Sequence, residues 1–334
     1  MNAVLSQPVK GKVVVTGASG FIGSRLRDAL LAAGADVVSL VRPRSPASKH
    51  GRTAAVDYGD VDSLRTMFER ERPDYVFHVA GATKGVSYQD FHEGNVMPTE
   101  NLLRALRDSH PDVKRFVHVS SLTAYGPSEN GKPKRESDPR LPLEHYGKSK
   151  LEAERAVESF ESKLPWTIIR PSVVYGPGEV DMFALFKAAH SGVNLFFGNR
   201  DKKASAIYAD DLVDALVTAA QSERTLSRGY FLCDGVHYTW GEIQGHIGRA
   251  VGRPAVNVSL PGFLVPLAGR AGEMLTAFDK KPRLLNRQKA ILDAQQAWLC
   301  THASAANDFG YKPRTFMSEG TKLTFAWYKS NGWL

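Results

Sequence analysis

The chain has 334 residues, 43% of them hydrophobic and 23% charged, with a formal net charge of +8. That is enough to bury a full α/β core with a smaller appended lobe, and the positive balance favours anionic ligands, for which a phosphate-rich cofactor suffices. No basic run interleaved with aromatics points to nucleic acid, and no run of about 18 apolar residues could span a bilayer. Met1 to Lys10 lacks a charged-then-apolar signal, so a cytoplasmic protein is expected.

The first informative element is the apolar run Val13–Val15, which leads through Thr16-Gly17-Ala18-Ser19-Gly20-Phe21-Ile22-Gly23 into an apolar-periodic stretch. It reads as a strand turning into a helix. Gly17 permits the tight turn, Gly20 lets the backbone approach a pyrophosphate, and Gly23 lets the helix pack on the strand. Free amides at the helix start would face phosphates, which brings Ser19, Phe21 and Ile22 into the same cofactor site. The glycine spacing is three then three, unlike the two-then-three of most dehydrogenases.

The second strand, Val37–Val41, ends in Arg42-Pro43-Arg44. NAD enzymes place a carboxylate here against the ribose 2′-hydroxyl, whereas a guanidinium suits a 2′-phosphate. NADP(H) is therefore the preferred cofactor and NAD(H) the alternative; solvated loop arginines are the bland explanation.

Further apolar and helical runs follow at 53–57, 61–71, 74–80, 98–109, 115–121, 146–162 and 166–174. This alternation marks a doubly wound parallel α/β sheet. His78, closing one of these runs, is expected to be a buried structural histidine. The stretch 127–144, rich in Pro, Gly and charge, reads as a surface loop returning to Tyr146-Gly147-Lys148-Ser149-Lys150. Tyr146 and Lys150 share a helical face, so the ammonium can favour the phenolate and lower the Tyr pKa, making a proton donor for a substrate oxygen.

After Gly176 the pattern becomes irregular. Residues 10–175 are expected to form the dinucleotide-binding domain and 176–334 mainly a substrate-binding lobe, with 207–233 returning to the first. Cys233 and Cys300 lie far apart without His or Cys at metal spacing, which points to a reducing compartment and no metal site.

In order and spacing these motifs resemble the extended short-chain dehydrogenases/reductases, a Rossmann-type family of epimerases, dehydratases, hydroxysteroid dehydrogenases and dihydroflavonol reductases. The resemblance rests on residues 16–23, Val56-Asp57-Tyr58-Gly59-Asp60, His78-Val79-Ala80-Gly81, Asn95 to Leu102 and Val119-Ser120-Ser121 with Tyr125-Gly126. It continues through Tyr146 and Lys150, Arg170-Pro171, Val174 to Gly178 and Tyr208-Ala209-Asp210-Asp211. It implies that Asp57 and Tyr58 hold the adenine edge, that Ala80, Gly81 and Pro171 border the cofactor, and that Lys150 also grips the nicotinamide ribose. It aligns Ser121, with Ser120 as the rival, with the family's catalytic hydroxyl. Asn95 is a site residue or a structural cap, with Pro98 standing where a glycine is common, and Asp210 and Asp211 read as helix N-cap carboxylates.

The resemblance leaves several reactions open. Family 4,6-dehydratases carry Asp-Glu after the catalytic hydroxyl residue, where this chain has Leu122-Thr123. Epimerases commonly place a diphosphate-binding arginine four residues before the tyrosine matching Tyr208; Ala204 stands there, although Lys202 or Lys203 could substitute. The apolar stretch 261–267 with Met274, Leu275 and Phe278 is similar to lobes of 3β-hydroxysteroid dehydrogenase-like and dihydroflavonol reductase-like enzymes, or is simply core. The basic cluster Lys280, Lys281, Arg283, Arg287 and Lys289 permits peripheral membrane contact.

The expectation is an NADP(H)-dependent ketone/alcohol oxidoreductase acting on a fairly apolar small molecule through Ser121, Tyr146 and Lys150. A nucleotide-sugar 4-epimerase and a non-catalytic cofactor-sensing regulator are the alternatives. A homodimer is compatible with this reading.

Overall fold

The structure is a computed structural model and describes residues 3–43, 50–197, 199–260, 291–292 and 294–334. Arg44, the apolar stretch 261–267 with Met274, Leu275 and Phe278, and the basic cluster from Lys280 to Lys289 lie outside the described residues.

Seven strands form one all-parallel sheet: β1 (Lys12–Thr16), β2 (Asp36–Val41), β3 (Arg52–Ala55), β4 (Tyr75–His78), β5 (Arg115–Val119), β6 (Trp166–Pro171) and β10 (Arg228–Leu232). Their spatial order is β3-β2-β1-β4-β5-β6-β10, so the winding reverses between β1 and β4. Ligands of such sheets sit beyond the strands' carboxyl ends at that reversal.

Both faces are covered, as continuous apolar strands require. Val13 and Val15 pack on one side with Leu26, Leu30, Leu212 and Leu216. Val14, pointing the other way, joins Leu64, Phe68, Leu102 and Leu106. The helix Val61–Glu71 starts on Asp60, whose carboxylate accepts from the Asp62 and Ser63 amides.

A second sheet is built on β9 (Lys203–Tyr208), flanked by antiparallel β11 (His237–Thr239) and parallel β13 (Ala297–Trp298). Strand β7 (Val173–Tyr175) leaves the large sheet directly after β6 and pairs with β9. Beside them β8 (Val193–Phe197) pairs with β12 (Val256–Leu260). The helix Ala209–Gln221 returns to the large sheet and β10 completes its edge. Ala305 and Tyr311 also enter that core. Their apolar surface is covered by the first unit, a return that periodicity alone does not reveal.

Asp210 and Asp211 do not cap that helix. Its N-cap is Tyr208, without a side-chain hydrogen bond. Asp210 accepts from Arg25 Nε at 2.7 Å, and Asp211 accepts from the Arg314 and Thr315 amides at 2.9 and 2.8 Å. Long-range partners took carboxylates that local sequence assigned to the cap. Likewise Cys233 and Cys300, distant in sequence, belong to one buried cluster.

Candidate active site

The glycine turn lies at the carboxyl end of β1, at the reversal point. Gly17 has φ +68°, and a Cβ there would stand 2.7 Å from the Ala80 nitrogen, so the turn abuts the exit of β4. A Cβ on Gly23 would collide with the Gly17 carbonyl oxygen at 2.1 Å, which accounts for the close helix–strand packing. At Gly20 a Cβ would meet only that oxygen, at 3.3 Å, and the residue is exposed. The helix Phe21–Ala32 begins at Gly20 without a side-chain cap. These features fit a dinucleotide pyrophosphate, which needs open backbone and uncapped amides.

Thr16 Oγ1 accepts from the Ala80 amide at 3.0 Å and meets His78 Nδ1 at 2.8 Å; His78 Nε2 meets Thr99 Oγ1 at 2.9 Å. His78 is thus buried and doubly bonded, and burial pushes its pKa down to about 3, with Lys150's charge adding to the shift. It is a neutral structural group.

Arg42, exposed, directly follows β2, and its charge acts on the Tyr58 phenol, which burial pushes upward. Tyr58 donates to the Leu40 carbonyl at 3.3 Å, and Asp57 folds onto the Gly59 amide at 2.8 Å. All three therefore stand beside the ends of β2 and β3.

The opposite wall is the helix His145–Glu158. Its cap is Glu144, 2% exposed, whose two oxygens lie 2.8 and 2.9 Å from the Gly147 amide. Ser, Thr, Asp and Asn are the usual caps, so a glutamate at this position gives little sequence signal. Gly147 abuts the Thr123 carbonyl, 2.5 Å from where a Cβ would be, which presses the helix onto the turn carrying Ser121.

Ser121 is half-buried; its Oγ accepts from the Thr123 amide at 3.2 Å and lies 3.0 Å from Thr123 Oγ1. Its hydroxyl favours the Tyr146 phenolate. Ser120 instead is 3% exposed, and its amide donates to the Ile169 carbonyl of β6 at 2.7 Å. The turn that begins at Ser121 packs on the helix that carries Tyr146 and Lys150.

One expectation needs correction. Lys150 is 3% exposed and its ammonium donates to the Val119 carbonyl at 2.6 Å. Burial lowers its own pKa to about 8. The Tyr146 phenol, far from being lowered by the lysine, is pushed up to about 12 by burial, against the Ser121 hydrogen bond and with the Glu144 carboxylate adding to the rise. In low dielectric the desolvation of a phenolate exceeds the help of a cation engaged elsewhere.

Asn95 is no helix cap. It lies in a π-helical turn, His92–Val96. Its Oδ1 accepts from the Ala82 amide at 2.8 Å, while Nδ2 donates to the Ala82 carbonyl at 3.0 Å and to Ser149 Oγ at 2.8 Å. Pro98 follows in the first turn of Met97–Ser109, where its missing N–H is tolerated and favours the wide turn before it. This clamp sets the loop Gly81–Ala82 against the Tyr146 helix, and a Cβ on Gly81 would come within 3.7 Å of Lys150 Nζ. Pro171 closes β6 next to β5 and β10.

Behind the wall, Arg170 donates to both oxygens of Glu154 at 2.9 Å, with both side chains nearly inaccessible. Among the described residues no helix is long and apolar enough to cross a membrane, and no group of His, Cys, Asp or Glu side chains could hold a metal ion.

Residues 13–231 match the NAD dependent epimerase/dehydratase family. Ceramide reductase of Caulobacter vibrioides is 28% identical over 336 residues, covering 99% of this chain and 98% of that protein. A dTDP-6-deoxy-L-talose 4-dehydrogenase (NAD(P)(+)) of Kitasatospora kifunensis is 37% identical over 172 residues, 50% of this chain and 54% of that one. Among solved structures, UDP-glucose 4-epimerase of Thermotoga maritima with UDP-glucose superposes with a TM-score of 0.79 at 22% identity, over 96% of this chain and 99% of that chain, a likeness of fold. The parallel sheet with its glycine turn and the span of this match together make the chain an enzyme of the NAD(P)-dependent epimerase/dehydratase family, the extended short-chain dehydrogenases/reductases.

Proposed function

We propose that this enzyme is an NADP(H)-dependent oxidoreductase interconverting a ketone and an alcohol on a fairly apolar small molecule. The observation that carries the choice over a nucleotide-sugar epimerase is Ala204. It is 3% exposed inside β9, between Tyr238 of β11 and Trp298 of β13. A diphosphate-clamping cation has no counterpart at that position. The neighbouring Lys203 is exposed at the strand's start, and Arg200 lies over the Phe196 ring at 4.2 Å. Full-length similarity to ceramide reductase, and 29% identity to the 3-beta-hydroxysteroid dehydrogenase of Mycolicibacterium neoaurum over 91% of this chain, support an apolar substrate.

The bound nicotinamide would supply or accept the hydride. Tyr146, protonated at neutral pH, gives its proton to the carbonyl oxygen as that oxygen gains charge. Ser121 holds the same oxygen with its hydroxyl. Lys150, fixed on the Val119 carbonyl, faces the loop at Gly81, where a ribose would pass. Gly17, Ser19, Gly20, Phe21, Ile22 and Gly23 would hold the pyrophosphate, Asp57 and Tyr58 the adenine edge, Ala80, Gly81 and Pro171 the inner wall, and Arg42 the 2′-phosphate. The chain thereby divides into residues 10–175 with 207–233 for the cofactor and the remainder mainly for the substrate. Steady consumption of NADPH in the presence of apolar ketones tests the reading.

A further inference from the structure

Cys233 and Cys300 take no part in the site above, yet the fold brings them together across 67 positions of sequence. Cys233 follows β10 at the end of the large sheet, and Cys300 follows β13 of the second sheet. Both are fully buried. Cys233 Sγ lies 3.3 Å from the Cys300 carbonyl oxygen and 3.5 Å from His302 Nδ1, and both cysteines belong to one buried cluster.

The surroundings fix this arrangement. The Tyr311 hydroxyl donates to the Cys233 carbonyl at 3.1 Å, and its ring meets His302 edge-on at 5.3 Å. The Cys300 amide donates to Ser205 Oγ at 3.2 Å. Gly235, at φ +83°, leaves room for the imidazole, since a Cβ there would stand 2.9 Å from His302 Cε1. His302 is only half-buried and forms the outer side of the cluster.

We propose that Cys233 and Cys300 form a reversible intramolecular disulfide, with His302 as proton acceptor for Cys233 and a peroxide as oxidant. The Cys233 proton passes to His302 Nδ1, and the sulfur attacks a peroxide oxygen. The O–O bond breaks, the leaving oxygen departs as water or an alcohol with the proton from His302, and Cys233 becomes a sulfenic acid. The Cys300 sulfur then attacks the Cys233 sulfur; the S–S bond forms, the S–O bond breaks, and the hydroxide takes the Cys300 thiol proton and leaves as water. Two thiol protons and two electrons are spent on one peroxide. The neighbouring Cys300 and the His302 imidazole, 3.5 Å from Cys233 Sγ, pull the Cys233 pKa down while that of His302 rises, which favours the thiolate needed for the first step. The bond would tie the end of β10 to the segment after β13 and so join the two sheets covalently.

The test is treatment of the full-length protein with hydrogen peroxide, followed by intact-mass measurement and thiol titration in denaturant. The expected result is a monomer lacking two hydrogen atoms, with both thiols lost and both restored by dithiothreitol. His302→Asn should slow the reaction about tenfold or more. In Cys300→Ser the sulfenic acid should persist on Cys233 and be trapped by a cyclic dione. Survival of both thiols, oxygen addition without hydrogen loss, disulfide-linked dimers, an unaltered rate in His302→Asn, or no trapped adduct in Cys300→Ser would each overturn the proposal.

Discussion

The ammonium of Lys150 donates to the carbonyl of Val119 at 2.6 Å, which ties the helix of Tyr146 to the end of β5, the strand leading into Ser121. The lysine therefore fixes the distance between the two hydroxyl-bearing elements, in addition to any effect of its charge. Removing it is expected to loosen the site.

Tyr146→Phe keeps the ring and removes only the transferable hydroxyl. Turnover should fall by roughly 10² to 10⁴, as positioned acid-base catalysis is worth, with cofactor affinity unchanged. Lys150→Met should reduce both. Retention of more than about a tenth of the turnover in Tyr146→Phe would show that another group moves the proton.

Arg42 stands exposed at the end of β2, close enough to bear on Tyr58, and among the described residues no carboxylate pairs with it. A charge-assisted contact to a 2′-phosphate is worth roughly 1.5 to 3 kcal/mol. Arg42→Ser should weaken NADPH binding tenfold or more and leave NADH nearly unaffected, as read by fluorescence titration. Equal affinity of the native enzyme for the two cofactors would remove the idea.

An oxidoreductase releases its spent cofactor, whereas an epimerase returns the hydride to the same substrate. With NADPH and a panel of apolar ketones, steroid-like and long-chain keto compounds included, the absorbance of reduced nicotinamide should fall in proportion to alcohol formed. UDP-hexoses should not be interconverted, because the Ala204 position offers no clamp for a diphosphate. Exchange of epimers without net absorbance change would favour the epimerase instead.

The Glu154–Arg170 pair is buried behind the active helix, with Arg140 reaching Glu154 at 3.3 Å. Glu154→Gln leaves the Arg170 guanidinium without its counter-charge, and the expected loss is about 3 to 5 kcal/mol in urea unfolding. A loss under about 1 kcal/mol would mean that water reaches the arginine.

His78 is neutral in the folded chain down to about pH 3, whereas in the unfolded chain it titrates near its ordinary 6.5. Between these values the unfolded state binds the extra proton, so stability is greatest above 6.5 and declines as pH falls through the window. His118, also buried and lowered by desolvation, adds in the same direction. Urea midpoints measured across this range should decline less steeply in His78→Gln than in the native protein; parallel slopes would assign the acid sensitivity elsewhere.

The glycine turn, the alternation of apolar strands with helices and the Tyr146/Lys150 spacing could be read directly, because each is local: a φ requirement, a period of two or 3.6, a separation of four on one helical face. The doubly wound sheet follows from them with short right-handed connections. What only the tertiary structure decided are the choices among partners that sequence does not rank. Lys150 bonded Val119 rather than the phenol, Asp210 and Asp211 went to Arg25 and to the 314–315 backbone, and Asn95 closed a clamp between Ala82 and Ser149. Burial set the Tyr146 phenol high where the spacing alone predicted it low. Desolvation and long-range hydrogen bonding depend on which surfaces meet, so two cysteines 67 positions apart could read as unrelated and still share one buried cluster.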